Sequence, residues 1–200
     1  MARLDLLRHG EPVGGSRYRG DGVDDPLTPE GLAAMWRSVE GGEWDAVVSS
    51  PLRRCRAFAE GFAERAGLPL SIESRLREIG LGAWEGLGHA EVQRDQPEAY
   101  AAYKRDILTG MPAGSEPIPA FIARVREALS DLSSRHAGQR VLVVCHAVVM
   151  RTALAIALDA PPQALGRIRV DYASFLHLRH AHGQWAVEGL GNRGSGLWPR

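Results

Sequence analysis

Three short, largely apolar runs along the chain each end in polar residues. They cover residues 3–7, 44–49 and 141–144, and the third consists of four consecutive aliphatic side chains. Such runs are typical of strands that are covered on both faces of a parallel sheet. Segments 52–66 and 148–158, which follow the second and third runs, have the composition of helices. Repeated strand-to-helix units predict an α/β protein with a mostly parallel sheet.

The remaining local signals fit the same architecture. Thr28-Pro29-Glu30 supplies a capping residue, a first-turn proline and a first-turn acid, which predicts a helix to about residue 39. Residues 11–27, rich in Gly, Asp and Pro, predict a long loop before it. We also predict an edge strand at 70–72, an ordered loop at 75–88, helices at 91–108 and 121–135, and a hairpin of strands 175–179 and 184–187. The whole pattern predicts a three-layer α/β/α sandwich forming a single domain over residues 1–200.

Composition and charge narrow the class of protein. Hydrophobic residues make up 44% of the chain and charged residues 24%, which are the values of an ordinary globular protein. Because 24 basic side chains balance 24 acidic ones, the chain has no general field for nucleic acid or an anionic membrane. The longest nearly apolar stretch, residues 141–158, is interrupted by His146 and Arg151. We therefore predict no nucleic-acid partner and no membrane partner, and any anion site must come from locally gathered arginines.

Cysteine usage bears on the cellular location. Cys55 and Cys145 are too few for a disulfide framework, and no signal sequence precedes the first predicted strand. These features predict a cytoplasmic protein with reduced thiols.

Chemically active side chains follow the three predicted strands. Arg8 and His9 come directly after the first strand, Arg54 lies just beyond the second, and His146 follows the third. Because ligands of open α/β sheets bind at the carboxyl ends of the strands, we expect these side chains to meet at one edge of the sheet. The glycine-rich loop that contains Glu78 adds a carboxylate to the set.

Four segments that carry these residues resemble the histidine phosphatase superfamily, also called the phosphoglycerate mutase-like family. They are LRHGE at residues 7–11, SSPLRRC at 49–55, LRE at 76–78 followed by GAWEG at 82–86, and VVCH at 143–146. The segments occur in the order found in the family, and the resemblance covers nearly the whole chain. The second segment, the WEG sequence and the short chain look most like the α-ribazole phosphatase group of cobalamin synthesis.

The resemblance implies a role for each of five residues. His9 would attack phosphorus through a neutral imidazole nitrogen and form a phosphohistidine. Arg8, Arg54 and His146 would stabilise the charge that spreads over the phosphoryl oxygens in the transition state. Glu78 would protonate the leaving oxygen as a general acid and later deprotonate the attacking water. The resemblance thus implies a metal-independent phosphomonoester hydrolase that uses no cofactor.

Two assignments within this set have competitors. If the register of the second segment is shifted by one residue, Arg53 replaces Arg54 in the site. Glu85 competes with Glu78 as the carboxylate, although its place in the WEG sequence favours a role in bracing the loop.

Four further residues are expected to contact the substrate. Gly10 and Ala147 follow the two histidines, and Ala147 offers a backbone N–H. Glu11 and Arg17 are placed at the entrance, and the alternative for both is an ordinary surface position.

The chain departs from the family at two places. Pro12 stands where the family usually has Ser or Thr, and Ala147-Val148 stands where it usually has Gly-Gly. The first change removes a hydroxyl donor, and the second narrows the pocket. Both changes bear on the identity of the substrate more than on the phosphoryl chemistry.

The expected reactants are a small-molecule phosphomonoester, with α-ribazole 5′-phosphate as one candidate, and inorganic phosphate as the product. Alternatives on the same fold are a broad-specificity phosphatase, a phosphoglycerate mutase-type phosphoryl transfer, or a non-catalytic module that binds phospholigands.

Residues 145–151 also fit the Cys-x5-Arg spacing of cysteine-dependent phosphatases, but they lack the glycine that such a loop usually needs. A metal site built from both histidines and Glu78 is disfavoured because neighbouring arginines would repel the cation.

Overall fold

A single six-stranded sheet forms the centre of the computed structural model, which describes residues 1–191. The strands are β1 (Ala2–Arg8), β2 (Ala46–Ser49), β3 (Leu70–Ile72), β4 (Arg140–Cys145), β5 (Phe175–Ala181) and β6 (Gln184–Gly191). Their spatial order is β3-β2-β4-β1-β5-β6. The first four strands in that order are parallel, and the terminal β5–β6 hairpin pairs antiparallel to β1. The predicted mostly parallel sheet and terminal hairpin are confirmed.

Six α-helices connect and cover the strands within the described residues. They are α1 (Pro29–Val39), α2 (Arg53–Ala66), α3 (His89–Asp95), α4 (Pro97–Arg105), α5 (Ile118–Arg135) and α6 (Ala147–Ala157). Short 3₁₀ helices occur at Ser74–Leu76, Gly82–Trp84 and Pro162–Arg167, so the predicted loop at 75–88 is partly helical. No helix in the part of the chain that the structure describes has both the length and the apolar composition needed to cross a membrane.

One helix prediction is wrong. Residues 91–108 were expected to form one helix, but the structure divides this region into α3 and α4. Gln96, which lies between them, has φ −135° and ψ 53° and leaves the helical conformation. Proline disfavours helical geometry in the residue before it, and Pro97 opens α4 as its first residue. Pro97 was the signal that could have predicted the break.

Alternation along the strands explains the three layers. In β1, Leu4 and Leu6 face the larger core with α5 and α6, whereas Leu7 faces the core with α1 and α2. β4 divides its side chains in the same way, since Val143 belongs to the first core and Val144 to the second. A strand with a period of two can be apolar throughout only when both faces are covered. The three-layer α/β/α sandwich is therefore confirmed.

Parallel register brings the predicted site residues to one edge. Arg8 at the end of β1 pairs with Cys145 at the end of β4, and Ser49 at the end of β2 pairs with Val144. The loops after these strands begin side by side: the His9 amide donates to the Cys145 carbonyl at 3.0 Å. Gly10 turns the chain against α1, where an added Cβ would lie 2.1 Å from the Gly31 carbonyl oxygen.

Candidate active site

A cleft of about 270 Å³ opens at the carboxyl edge of the sheet. Four of the five residues predicted to be catalytic line it, namely Arg8, His9, Arg54 and Glu78. The fifth, His146, lies next to the first histidine, with 5.2 Å between the ring centroids. The other residues of the lining are Arg17, Tyr18, Arg19, Gly20, Ile79, Leu81, His89, Tyr100, Tyr103, Lys104, Val148, Arg151 and Tyr172.

The His9 ring is buried and held by the backbone. Its Nδ1 lies 2.7 Å from the Gly10 carbonyl oxygen, which can only accept a hydrogen bond, so Nδ1 carries the proton. Burial, followed by the positive charge of Arg54 and Arg8, lowers the pKa of His9 well below 6.5. The ring is therefore neutral at pH 7, and Nε2 keeps its lone pair. This is the state in which an imidazole acts as a nucleophile.

His146 is fixed by a residue that the sequence did not single out. Its Nε2 lies 2.7 Å from the Oγ of Ser50, which follows β2. His146 is fully buried, and this burial and the charge of Arg54 lower the pKa of His146 well below 6.5. A neutral imidazole keeps one N–H donor. His146 itself is not among the described residues that line the cleft.

Arg54, rather than Arg53, reaches the cleft. Its side chain is 1% exposed, and the terminal nitrogens donate to the carbonyls of Gly20 (2.8 Å) and Val23 (2.9 Å). Arg53 is exposed, and its backbone N–H donates to Asp24. The long loop at 11–27 thus holds the guanidinium in place, and the Nε of Arg54 is buried with no hydrogen-bond partner in the structure.

Arg8 is positioned by a segment that carries no recognisable motif. Its guanidinium donates to the Val170 carbonyl at 2.6 Å and lies 3.9 Å from the centroid of the Tyr172 ring. The same tyrosine ring lies 5.7 Å from the His9 ring. Tyr172 therefore contacts both of the adjacent side chains at the end of β1, a role that sequence reasoning missed.

The Glu78 carboxylate is anchored at the start of α6. Oε2 accepts from the Val148 amide at 3.3 Å, and Oε1 accepts from the Ile79 amide at 3.1 Å. A helix N-terminus favours a negative charge, so α6 orients this carboxylate at the cleft wall. Glu85 instead accepts from the Leu81 amide at 2.8 Å and packs against Gly20. Its contacts agree with the predicted role in bracing the loop.

Positive charge dominates the cleft lining. Among residues 1–191, the cleft is lined by one acidic side chain, Glu78, and by six cationic ones: Arg8, Arg17, Arg19, Arg54, Lys104 and Arg151. Arg19, which the sequence analysis did not single out, is buried and donates to Asp25 at 2.9 Å. This excess suits a ligand with a multiply charged anionic group.

The residues predicted to bind substrate divide into two groups. Arg17 lines the cleft and donates to the Gly14 carbonyl at 2.8 Å. Gly10, Glu11 and Ala147 are outside the lining, and Glu11 is exposed.

The Cys145 alternative is not supported by the geometry. Residues 147–151 belong to α6 and do not form a loop around an anion. Cys145 is buried on β4, and burial raises the pKa of its thiol well above 9.0. A protonated, inaccessible thiol is a poor nucleophile.

As for metal sites, residues 1–191 contain no group of three or more His, Cys, Asp or Glu side chains placed to hold an ion.

Comparison with known proteins agrees with the fold. The sequence model of the histidine phosphatase superfamily (branch 1) matches residues 4–193. This chain belongs to the histidine phosphatase superfamily, and the family resemblance of its four segments is confirmed.

The relatives include a bifunctional protein and a phosphatase. A bifunctional protein of Mycobacterium tuberculosis is 35% identical over 178 residues, which are 86% of this chain and 48% of that protein. The chain thus spans about half the length of these mycobacterial relatives. The adenosylcobalamin/α-ribazole phosphatase of Escherichia coli is 30% identical over 174 residues, 84% of this chain and 85% of that protein.

A solved structure provides a ligand comparison. The mycobacterial glucosyl-3-phosphoglycerate phosphatase in complex with VO₃ superposes with a TM-score of 0.84 at 30% identity, covering 95% of this chain and 98% of that one. The same phosphatase has been solved with inorganic phosphate. Phosphatase relatives of this chain therefore bind phosphate and its analogue.

Proposed function

We propose that this chain is a phosphomonoester hydrolase that acts through a phosphohistidine on His9. The observation that supports this most directly is the state of the His9 ring. It is buried and neutral, its Nδ1 proton is held by the Gly10 carbonyl, and it lies in a cleft with an excess of arginine. These are the conditions for nucleophilic attack on a bound phosphate.

In the first step, the lone pair of His9 Nε2 forms a bond to phosphorus while the ester P–O bond breaks. A protonated Glu78 gives its proton to the leaving oxygen, which departs as an alcohol. Arg8 and Arg54 neutralise the charge of the phosphoryl oxygens, and each retains a buried Nε without a hydrogen-bond partner.

In the second step, water attacks the phosphohistidine. Its oxygen bonds to phosphorus, the N–P electron pair returns to His9 Nε2, and the Glu78 carboxylate takes the proton of the water. Inorganic phosphate leaves and the enzyme is restored. His146, held by Ser50, donates its N–H to a phosphoryl oxygen in both steps. The arginines and His146 provide the electrostatic stabilisation, so the mechanism calls for no metal or cofactor.

The substrate is a small-molecule phosphomonoester. α-Ribazole 5′-phosphate is a candidate because a relative of similar length bears that activity in its name. Aromatic side chains on the cleft wall, Tyr18, Tyr100 and Tyr103, suit a leaving group with a flat ring. We place the protein in the cytoplasm, since both of its cysteines are free thiols.

The test is to trap the covalent intermediate. Wild-type protein is mixed with ³²P-labelled substrate, quenched in alkali to preserve phosphohistidine, and mapped by mass spectrometry. We expect label on His9 and none in His9→Asn, with His136→Asn as the matched control that keeps both label and activity. Turnover by His9→Asn at the wild-type rate would refute the proposal.

The mutase alternative is measured on the same protein. It is incubated with 3-phosphoglycerate and a bisphosphoglycerate primer, and the release of phosphate is compared with formation of the isomer. Hydrolysis is expected to be faster, and faster isomer formation would make the chain a mutase.

A further inference from the structure

A second cavity, of about 230 Å³, adjoins the catalytic cleft. The two share three residues of their walls: Tyr103 and Lys104 from α4, and Arg151 from α6. Arg105, Asp106 and Arg167 also line this second cavity but not the cleft. The shared residues place the two cavities side by side. We call it the distal pocket.

The distal pocket is strongly positive. Its lining contains four cationic side chains, Lys104, Arg105, Arg151 and Arg167, and one carboxylate, Asp106. That carboxylate is already occupied, because Oδ1 accepts from the Leu108 amide and Oδ2 from the Thr109 hydroxyl, both at 3.0 Å. Four positive charges against one negative charge leave the described part of the pocket wall with a net positive charge.

One buried donor belongs to Arg151, which lines both cavities. Its Nε makes no hydrogen bond with any residue that the structure describes. A buried donor without an acceptor is costly, and a bound water, ion or ligand is one way to satisfy it.

The cations come from three separate elements. Lys104 and Arg105 end α4, Arg151 lies in α6, and Arg167 ends the 3₁₀ helix at Pro162–Arg167. Because like charges repel, gathering them requires a compensating anion or solvent. Tertiary folding, and not a local run of basic sequence, thus creates this site.

We propose that the distal pocket binds a second anionic group of the substrate, a carboxylate or a second phosphate on the leaving group. The inference rests on the proposed function, since it places the scissile phosphate at His9. It defines the substrate class as phosphomonoesters whose leaving group is itself an anion. α-Ribazole 5′-phosphate carries no second anion, so it falls below such substrates in preference.

The experiment uses matched substrates. Values of kcat/KM are measured for ω-carboxyalkyl phosphates of increasing chain length and for ω-hydroxyalkyl phosphates of the same lengths. A parallel series of alkanediol bisphosphates distinguishes a carboxylate from a second phosphate. Charged hydrogen bonds of this kind predict a preference of about tenfold or more for the anionic member at the best length.

Variants locate the preference in the distal pocket. Arg167→Gln and Arg105→Gln lie outside the catalytic cleft, so we expect both to keep wild-type activity on p-nitrophenyl phosphate. Each is expected to reduce the preference for the anionic substrate by about tenfold, mainly through KM. Arg126→Gln on α5 makes the same change in charge away from both cavities. It should change neither the activity on p-nitrophenyl phosphate nor the preference for the anionic substrate. Thermal unfolding of each variant checks that it is folded.

The outcomes separate the two proposals. Equal kcat/KM for anionic and neutral partners at every length, or a preference that survives both variants, overturns the distal pocket while the phosphatase stands. Absence of hydrolysis of any phosphomonoester overturns the proposed function and this inference with it.

Discussion

Ser50 Oγ lies 2.7 Å from Nε2 of His146, and both residues are buried at the ends of neighbouring strands. The hydroxyl sets the orientation of an imidazole that is proposed to contact the phosphoryl group. Ser50 is therefore a positioning residue that acts through its neighbour.

Ser50→Ala is expected to lower kcat by about tenfold to a hundredfold with a smaller change in KM, because a slightly misplaced catalytic group loses transition-state contacts. Steady-state kinetics on p-nitrophenyl phosphate measure the effect. Ser50→Thr keeps a hydroxyl and should recover part of kcat. A purely structural role would leave kcat unchanged while reducing thermal stability, and that result contradicts the prediction.

The acid limb of the pH profile of kcat/KM should lie below pH 6.5. Burial and the charges of Arg54 and Arg8 lower the pKa of His9, so the ring remains neutral as the pH falls past its ordinary value. The profile of kcat/KM reports ionisations of the free enzyme. NMR titration of the His9 ring, with His136 as an internal comparison, assigns the limb. A protonation of His9 at or above 6.5 would be inconsistent with this electrostatic environment.

Glu78→Gln should discriminate between leaving groups. An alkyl phosphate needs a proton on its departing oxygen, so we expect kcat to fall by about a hundredfold or more. p-Nitrophenolate is a stable anion and should depart from the variant with a much smaller loss. Glu85→Gln, in the loop-bracing carboxylate, should reduce thermal stability and affect both substrates equally. Equal losses for both substrates in Glu78→Gln would assign the proton transfer to another group.

Removal of divalent metal should leave activity unchanged. The arginines of the cleft already supply the positive charge that a cation would add, and they would repel an added cation. Activity on p-nitrophenyl phosphate is measured before and after dialysis against EDTA. Loss of turnover in chelator that is restored by zinc would establish a metal-dependent reaction.

Asp5, in the middle of β1, is expected to contribute to stability. It accepts hydrogen bonds from Trp44 (2.8 Å) and Arg140 (2.6 Å) and contacts His177 at 2.6 Å. Burial alone would raise the pKa of Asp5, but the hydrogen bonds and charges of His177 and Arg140 outweigh it, so the pKa is lowered. Asp5→Asn should cost about 1.5–3 kcal/mol in the free energy of unfolding, since it removes the charge from the buried acceptor that faces the partly buried Arg140 guanidinium.

The pH dependence of the stability that Asp5 provides follows from the direction of its pKa shift. A carboxylate with a lowered pKa in the folded state stabilises the protein above its unfolded pKa, and the stability is lost as the pH falls through the folded value. Urea unfolding of wild type and Asp5→Asn at several pH values measures it. Asp45→Asn, at an exposed carboxylate that accepts from the Arg140 amide, is the control and should cost about 1 kcal/mol. Equal costs for the two variants would refute the prediction.

Local sequence determined the layers of the fold and the centre of the site. The apolar runs at 3–7, 44–49 and 141–144 predicted buried strands because a strand is continuously apolar only between two layers. His9 and His146 were predicted to meet because parallel strands deliver their carboxyl ends to one edge, and their rings are 5.2 Å apart. Both predictions rest on the composition and order of residues within short, contiguous segments of the sequence.

Tertiary structure decided the surroundings of these residues. Tyr172 beneath Arg8, Ser50 on His146 and the cations of the distal pocket come from segments that are distant in sequence. No periodicity or spacing marks such contacts, because they arise only when separate elements pack together. The chain's own pattern therefore predicted the edge of the sheet at which the candidate site lies, whereas packing of α4, α6 and the loop before β5 shaped the proposed distal pocket.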